Sequence, residues 1–230
     1  PDVLLMQELK CEDAAFPAAA FESRGYACAT HGQKTYNGVA IASKRGLDDV
    51  RTRLPGDEAD EQARYIEATI DGLRIASLYL PNGNPAPGPK YDYKLGWMAR
   101  LRGHAAGLLR AETPTVLGGD YNVCPTDDDV YDPANWADDA LCRRESRAAF
   151  NGLVAQGWTE ALAQTEPRPA NYTFWDYQAG AWPKDNGLRI DHFLLSPEAA
   201  DRLDACTVDR TPRGWEKASD HTPVVITLAG

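Results

Sequence analysis

Nowhere in its 230 residues does the chain hold an apolar run approaching the roughly 18 residues that cross a bilayer, so no transmembrane helix is expected. The opening stretch from Pro1 to Lys10 lacks the basic segment and small-residue cleavage site of a signal peptide. Thiols are sparse and scattered: Cys11, Cys28, Cys124, Cys142 and Cys206 are odd in number and show no CxxC spacing. That pattern reads as isolated reduced thiols in a reducing compartment, ahead of a disulfide framework or a zinc site. Positive charge is short as well. Against 34 Asp and Glu stand 24 Lys and Arg, a formal charge of -10. Taken alone this argues against a polyanion binder, because affinity for nucleic acid rests largely on neutralised phosphates. No internal repeat or low-complexity tract interrupts the chain. A chain of this length can bury roughly 70% of its unfolded surface, enough for a core without covalent staples.

What is present is a series of short apolar runs alternating with helical patterns. Val3–Gln7, 38–43, 190–195 and 224–228 read as strands. Segments 66–70 and 73–80 flank Asp71-Gly72, a two-residue hairpin signal, since both residues tolerate the positive φ of a type I′ turn. Residues 114–120 form an apolar strand running into a glycine-loosened end at Gly118-Gly119. Helices are expected over 94–111, where Leu95, Met98, Leu101, Leu108 and Leu109 fall near helical spacing, and over 144–155 and 197–203. The proline- and glycine-rich segment 81–89 reads as a loop within one domain, not as a boundary. Hairpins mixed with helices imply a layered α/β domain over residues 1–230 in place of a strict βαβ series.

The chemical signal lies at the strand ends. Glu8 follows the run 3–7, Asp120 follows 115–119, Asp191 sits inside 188–195, and Asp220 precedes His221 just before the strand at Val224. An acid flanked by apolar strand residues must be solvated, paired or metal-bound, because burying a lone carboxylate is expensive. Four such acids on neighbouring strands are expected to converge, and convergent carboxylates repel unless a cation lies between them. Hard oxygen donors suit Mg²⁺, or Mn²⁺ in its place. In Asp120-Tyr121-Asn122, strand alternation aims Asp120 and Asn122 to one side, although an Asx turn has the same composition. His221 lies beside an acid, and Asp191 is available to orient its ring. Tyr79 ends a strand with a phenol. The segment Tyr172-Thr173-Phe174-Trp175-Asp176-Tyr177 reads either as aromatic packing over the core or as an exposed platform that wedges into a duplex or stacks on a base.

Six pieces occur in one order along nearly the whole chain: Leu5-Met6-Gln7-Glu8-Leu9-Lys10, Tyr36-Asn37-Gly38-Val39-Ala40, Tyr79-Leu80-Pro81-Asn82-Gly83, Gly118-Gly119-Asp120-Tyr121-Asn122, Leu188-Arg189-Ile190-Asp191-His192 and Ser219-Asp220-His221. Together they resemble the exodeoxyribonuclease III family of the endonuclease/exonuclease/phosphatase superfamily. The resemblance implies a four-layered α/β sandwich, with two mainly antiparallel sheets face to face and helices outside. It implies Mg²⁺-dependent hydrolysis of phosphodiesters in duplex DNA, incising 5′ to abasic sites or trimming 3′ ends, by a monomer in a bacterial-type cytoplasm, near the nucleoid. By the same resemblance Glu8 is the metal-binding acid and Asp220 a helper in metal binding. Asp120 deprotonates the attacking water or protonates the leaving oxygen, and Asn122 positions Asp120 or the phosphate. Tyr79 and His221, the latter oriented by Asp191, bond phosphate oxygens. Asn82, Phe174 and Trp175 fall where the family places DNA contacts, and Lys94 reads equally as a phosphate contact or as a solvated lysine at a helix start. The family's opening strand, which carries an Asn near the metal, would precede Pro1, so the sequence is expected to be part of a longer protein. Two other readings compete: a superfamily phosphodiesterase for a lipid or small phosphoester, and a catalytically inactive DNA-binding module.

The negative charge can then be placed. Glu8, Asp120, Asp191 and Asp220 carry part of it, and Asp127, Asp128, Asp129, Asp132, Asp138 and Asp139 crowd a stretch without Lys or Arg. That stretch reads as a solvated loop. The remaining acids and bases balance, so acidity does not exclude a DNA-facing surface.

Overall fold

The computed structural model describes residues 1–166 and 171–230. In chain order the strands are β1 (Val3–Gln7), β2 (Ala27–His31), β3 (Val39–Ser43), β4 (Asp48–Thr52), β5 (Tyr65–Ile70), β6 (Leu73–Tyr79), β7 (Thr115–Asp120), β8 (Thr159–Glu160), β9 (Asp191–Leu195), β10 (Leu203–Val208) and β11 (Val224–Leu228). Six of them form one sheet in the order β4-β5-β6-β7-β9-β8. Opposite it lie the three-stranded sheet β1-β3-β2 and the two-stranded ribbon β10-β11. The second layer is therefore in two pieces, where the expected architecture had one sheet. Among the described residues β1 is bonded along one edge only, to β3.

Local chemistry accounts for the main connections. Asp71 and Gly72 have φ of 47 and 78, as a type I′ turn requires, and Ile70 faces Leu73 across the β5–β6 hairpin. The β6–β7 pair is parallel, so the chain must cross over, and the helix Pro89–Arg110 makes that crossover. It starts a full turn before the expected 94, because Pro89 occupies the first helical position, where a missing N–H costs nothing. The second helix, Arg144–Val154, matches its expected span closely. The third ends at Ala200, and Leu203 instead opens β10.

Alternation along the strands divides the core in two. Tyr65, Ala76, Leu78, Leu117 and Leu194 face the two long helices and meet Trp97, Met98, Leu101, Phe150 and Leu153. Ile66, Ala68, Ile75, Val116 and Leu195 face the opposite way and pack on Val39, Ile41 and Cys206 of the smaller sheets. Successive residues of one strand thus serve different layers, which is the period of two expected of a sheet buried on both faces. The result is a layered α/β sandwich with the ends of β6, β7 and β9 at one rim.

Glycine is obligatory at that rim. A Cβ on Gly119, whose φ is 145, would run into the carbonyl oxygen of Leu78, and one on Gly118 would strike the Phe193 ring. The two glycines let β7 lie close to both neighbours just before Asp120.

Candidate active site

Tyr79, Asp120 and Asp191 share one register line. Tyr79 pairs with Asp120 across β6 and β7, and Asp120 pairs with Asp191 across β7 and β9. The expected convergence of strand-end acids therefore follows from strand pairing. His221 joins from the chain leading into β11, where it bridges to Phe174. Its Nδ1 meets both oxygens of Asp191, at 3.1 and 2.9 Å, and its Nε2 lies 3.9 Å from Asp120 Oδ2.

Asn122 completes the arrangement from a left-handed backbone conformation, φ 48. That conformation turns its own N–H onto Asp120 Oδ1 at 2.8 Å, while its Nδ2 donates to Asp120 Oδ2 at 3.0 Å and to the Leu80 carbonyl at 2.9 Å. Asn82 Nδ2 donates to Asn122 Oδ1 at 3.1 Å. A polar chain thus runs from Asn82 through Asn122 and Asp120 toward His221 and Asp191.

Glu8 enters from the end of β1. Tyr79 Oη donates to Glu8 Oε1 at 2.7 Å, and Lys10 Nζ lies 2.9 Å from Glu8 Oε2. Glu8 and Lys10 both have positive φ, 53 and 54. For such residues this conformation is strained and persists only when the surroundings impose it. Here the loop before β3 does so: Leu9 and Lys10 N–H groups donate to the Gly38 and Asn37 carbonyls, at 3.2 and 3.0 Å.

The electrostatics follow from burial and partners. Burial pushes Asp120 up to about 7; His221 opposes that, while Asp191 and the Asn122 N–H act with opposite signs. Burial alone would lower His221, but the charge and hydrogen bond of Asp191 hold it up at about 10, so it is an imidazolium near neutral pH. Burial and the Glu8 carboxylate hold the Tyr79 phenol far above its ordinary value. Burial works against ionised Glu8, yet the bonds from Lys10 and Tyr79 leave it lowered.

Glu8, Asp120 and His221 offer donor atoms within 4.8 Å of one another. The two carboxylates are hard oxygen donors suited to a divalent cation. His221 fits a different task, because one nitrogen is engaged by Asp191 and the ring is held protonated. The donor set therefore suits a cation at Glu8, with Asp120 beside it and His221 presenting N–H.

A cavity of about 220 Å³ opens over these groups, and Glu8, Tyr79, Asp120, Asn122, Asp220 and His221 are among the residues that line it. Its other wall is partly apolar, with Phe174, Leu188 and Ile190.

Residues 1–221 match the Endonuclease/Exonuclease/phosphatase family. The chain belongs to this family. It is 30% identical to exodeoxyribonuclease III of Haemophilus influenzae, over 97% of this chain and 88% of that protein. Among solved structures it is similar to the 3′ phosphatase NExo from Neisseria bound to product DNA hairpin, with TM-score 0.97 and 40% identity, covering 100% of this chain and 90% of that one. It is also similar to an AP endonuclease from Archaeoglobus fulgidus, with TM-score 0.95 and 36% identity, covering 99% of this chain and 89% of that one. Membership in the endonuclease/exonuclease/phosphatase family makes the chain a phosphodiester-hydrolysing enzyme of a divalent-metal-dependent kind.

Within that family site, most of the residues expected from the sequence lie together. Glu8, Tyr79, Asn82, Asp120, Asn122, Phe174, Asp220 and His221 all line the cavity, and Asp191 sits behind His221. Phe174 packs edge-on against the His221 ring at 5.1 Å. Asp220 lines the cavity beside the donor cluster of Glu8, Asp120 and His221.

Two expected DNA contacts are corrected. Lys94 is fully buried, and its Nζ donates to the carbonyl oxygens of Asn82 and Asn122, at 3.0 and 2.6 Å. It faces the core side of the long helix, so it ties the ends of β6 and β7 together and cannot reach a phosphate. Trp175 is also fully buried, with its Nε1 donating to Asp185 and Arg210 stacked on its ring. It is a core residue, and a base cannot stack on it.

The Asp-rich stretch is likewise not simply a solvated loop. Asp129 is buried, bonded to Thr126 and paired with Arg189, and Asp139 accepts from Asn84. The sequence reading also passed over Lys10. Strand-like alternation from Glu8 to Lys10 was the available signal, but the left-handed turns that bring the ammonium back onto Glu8 are not written in residue type.

Proposed function

We propose that the chain is a Mg²⁺-dependent DNA repair nuclease that hydrolyses phosphodiesters in duplex DNA, incising 5′ to abasic sites, trimming 3′ ends, or both. The observation that carries this reading is the continuous line Asn122–Asp120–His221–Asp191 at a cavity that Glu8 also lines. The names of the relatives, an exodeoxyribonuclease III, a 3′ phosphatase bound to DNA and an AP endonuclease, support the substrate class.

Each side chain has a task its geometry suits. Glu8, with Asp220 on the same cavity wall, would hold a divalent cation, which when bound would supply charge stabilisation at the phosphate. The His221 imidazolium, held by Asp191, donates from Nε2 to a non-bridging phosphate oxygen. Such preorganised donors matter most where charge grows in an in-line displacement. Asp120, pushed up to about 7 by burial, takes the proton of the attacking water at a pKa near the working pH. Asn122 fixes the Asp120 carboxylate through two donors, so its free rotation is already lost before substrate arrives. The Tyr79 hydroxyl, kept protonated, orients Glu8 and can offer its proton to phosphate when the Glu8 bond is exchanged. Phe174, Leu188 and Ile190 give an apolar wall suited to a sugar lacking its base. The enzyme acts as a monomer on chromosomal DNA in the cytoplasm.

The test is incubation of the protein with a duplex carrying one abasic site, with Mg²⁺ and with EDTA, beside a panel of phosphoinositide and sphingomyelin. Nicking of the duplex that EDTA stops is expected, with Asp120→Asn and His221→Ala folded and nearly inactive. Turnover of the lipid panel alone, or nicking unaffected by EDTA, would overturn the reading.

A further inference from the structure

With Trp175 withdrawn into the core, two exposed aromatic rings remain on the segments that lead into the cavity wall at Phe174, Asp176 and Asp220. Trp215 is 65% exposed and Tyr177 is 64% exposed. Trp215 follows the short 3-10 turn Thr211–Gly214 and lies five residues ahead of Asp220. A tryptophan indole presents a large amphipathic surface, and such residues are enriched where a partner is met.

The loop that carries Trp215 is fastened firmly on its inner side. Arg210 pairs with Asp185 at 2.5 Å and stacks over Trp175 and Trp182, at 4.8 and 5.2 Å from the ring centres. Arg213 is buried, donates to the Trp175 carbonyl at 2.9 Å, and lies over the Tyr177 and Trp182 rings. Tyr177 Oη closes the loop by donating to the Ala218 carbonyl at 2.9 Å. Both arginines are thus spent on anchoring a short turn, and the indole at its end is the part left outside. A loop held this rigidly around one exposed ring is preorganised, so little further ordering is needed when a partner stacks on it.

The surroundings state what kind of partner fits. Glu216 and Lys217, both exposed, follow Trp215 directly, while exposed Lys10 reaches Glu8 of the candidate site and lies within electrostatic reach of Tyr177 and Asp220. The Trp175 N–H donates to the Asp220 carbonyl at 2.9 Å, which joins the anchored loop directly to the cavity wall. An exposed indole on a rigid loop joined to the wall of a phosphodiester site is complementary to a nucleobase attached to its phosphate backbone.

We propose that Trp215 stacks on a nucleobase next to the scissile phosphodiester, positioning the DNA strand over Glu8 and Asp120. This rests on the nuclease reading above, since the base belongs to that same substrate. The role is positioning, not chemistry.

The experiment compares wild type, Trp215→Ala and Trp215→Phe with a fluorescently labelled duplex carrying one abasic site. Binding is followed by anisotropy in EDTA, and KM and kcat are measured separately in Mg²⁺. Because one base–aromatic stack is worth about 1–3 kcal/mol, Trp215→Ala should weaken binding and raise KM about 10- to 100-fold. The thermal midpoint should not move, because the side chain is exposed, and Trp215→Phe should recover most of the lost affinity. Unchanged affinity in Trp215→Ala, with wild type active on the duplex, overturns the stacking role alone and points to a protein partner for this surface. A loss that Trp215→Phe does not recover overturns it too. Failure of wild type to bind or nick the duplex instead overturns the nuclease reading on which the role depends.

Discussion

The Asp191 carboxylate grips Nδ1 of His221 with both oxygens, and this one contact decides what the histidine is for. It fixes the ring plane, commits Nδ1, and overcomes the burial that would otherwise discharge the imidazole. His221 then meets Asp120 through Nε2 as a proton-bearing group. A buried acid and a half-buried imidazolium thus face one another, with Asn122 fixing the acid and Asp191 fixing the imidazolium.

Because Asp191 acts through His221, Asp191→Asn is expected to lower kcat about 100-fold or more while DNA binding changes little. The double variant Asp191→Asn/His221→Ala should be no slower than His221→Ala alone, since both changes remove one device. Single-turnover rates on the abasic duplex measure this. Additive losses in the double variant would show that Asp191 has a separate task.

Lys94 joins two catalytic loops from inside the core, and burial brings its pKa down to about 8. Lys94→Met leaves the Asn82 and Asn122 carbonyls without their donor, which should cost about 2–4 kcal/mol. Urea unfolding should report that loss, and kcat should fall as Asn122 loosens from Asp120. The salt dependence of DNA binding should stay as in wild type. A shallower salt slope in Lys94→Met would return this lysine to the DNA surface.

Removing one hard donor should weaken the cation without emptying the fold. Glu8→Gln is expected to raise the Mg²⁺ concentration for half-maximal activity about tenfold or more. It also frees Lys10 from its partner at 2.9 Å. A metal titration of activity checks this, and an unchanged midpoint would remove Glu8 from the ligand set.

Far from the site, Glu67 lies buried in a knot of partners: Arg74, His104 Nε2 at 3.0 Å and the Tyr65 hydroxyl at 2.6 Å. Burial by itself would raise its pKa, but the bonds from His104, Arg74 and Tyr65 bring it down to about 2. A carboxyl with a depressed folded-state pKa contributes stability above its unfolded value of 4.5, and that contribution is lost as pH falls toward 2. Glu67→Gln, which leaves Arg74 with Asp49 alone as its counter-charge, should therefore cost about 3 kcal/mol at pH 7 and progressively less below pH 4.5. Unfolding free energies at pH 7 and pH 3 test the sign. An equal deficit at both would rule out the ionised carboxylate as the source.

The sequence by itself determined the strands that alternate between two buried faces, the Asp71-Gly72 turn and the acids at the rim. These are local: apolar period, turn chemistry and the cost of burying a carboxylate can each be read from neighbouring residues. Strands β2, β4, β8 and β10 were not legible. β4 is exposed throughout and β8 is two residues long, so neither carries an alternating pattern, and pairing partners distant in the chain define them. The same reason governs the side chains. Lys94 and Trp175 have the residue types of DNA contacts, but only tertiary packing decides which face of an element meets the core, and it buried both. Packing also left Trp215 exposed while Arg210 and Arg213 hold the Trp175 and Trp182 rings. The small total of basic residues, which at first argued against a nucleic-acid partner, proved a weak guide. Charge acts at a distance set by the fold, and the fold gathers the acids where a cation can offset them.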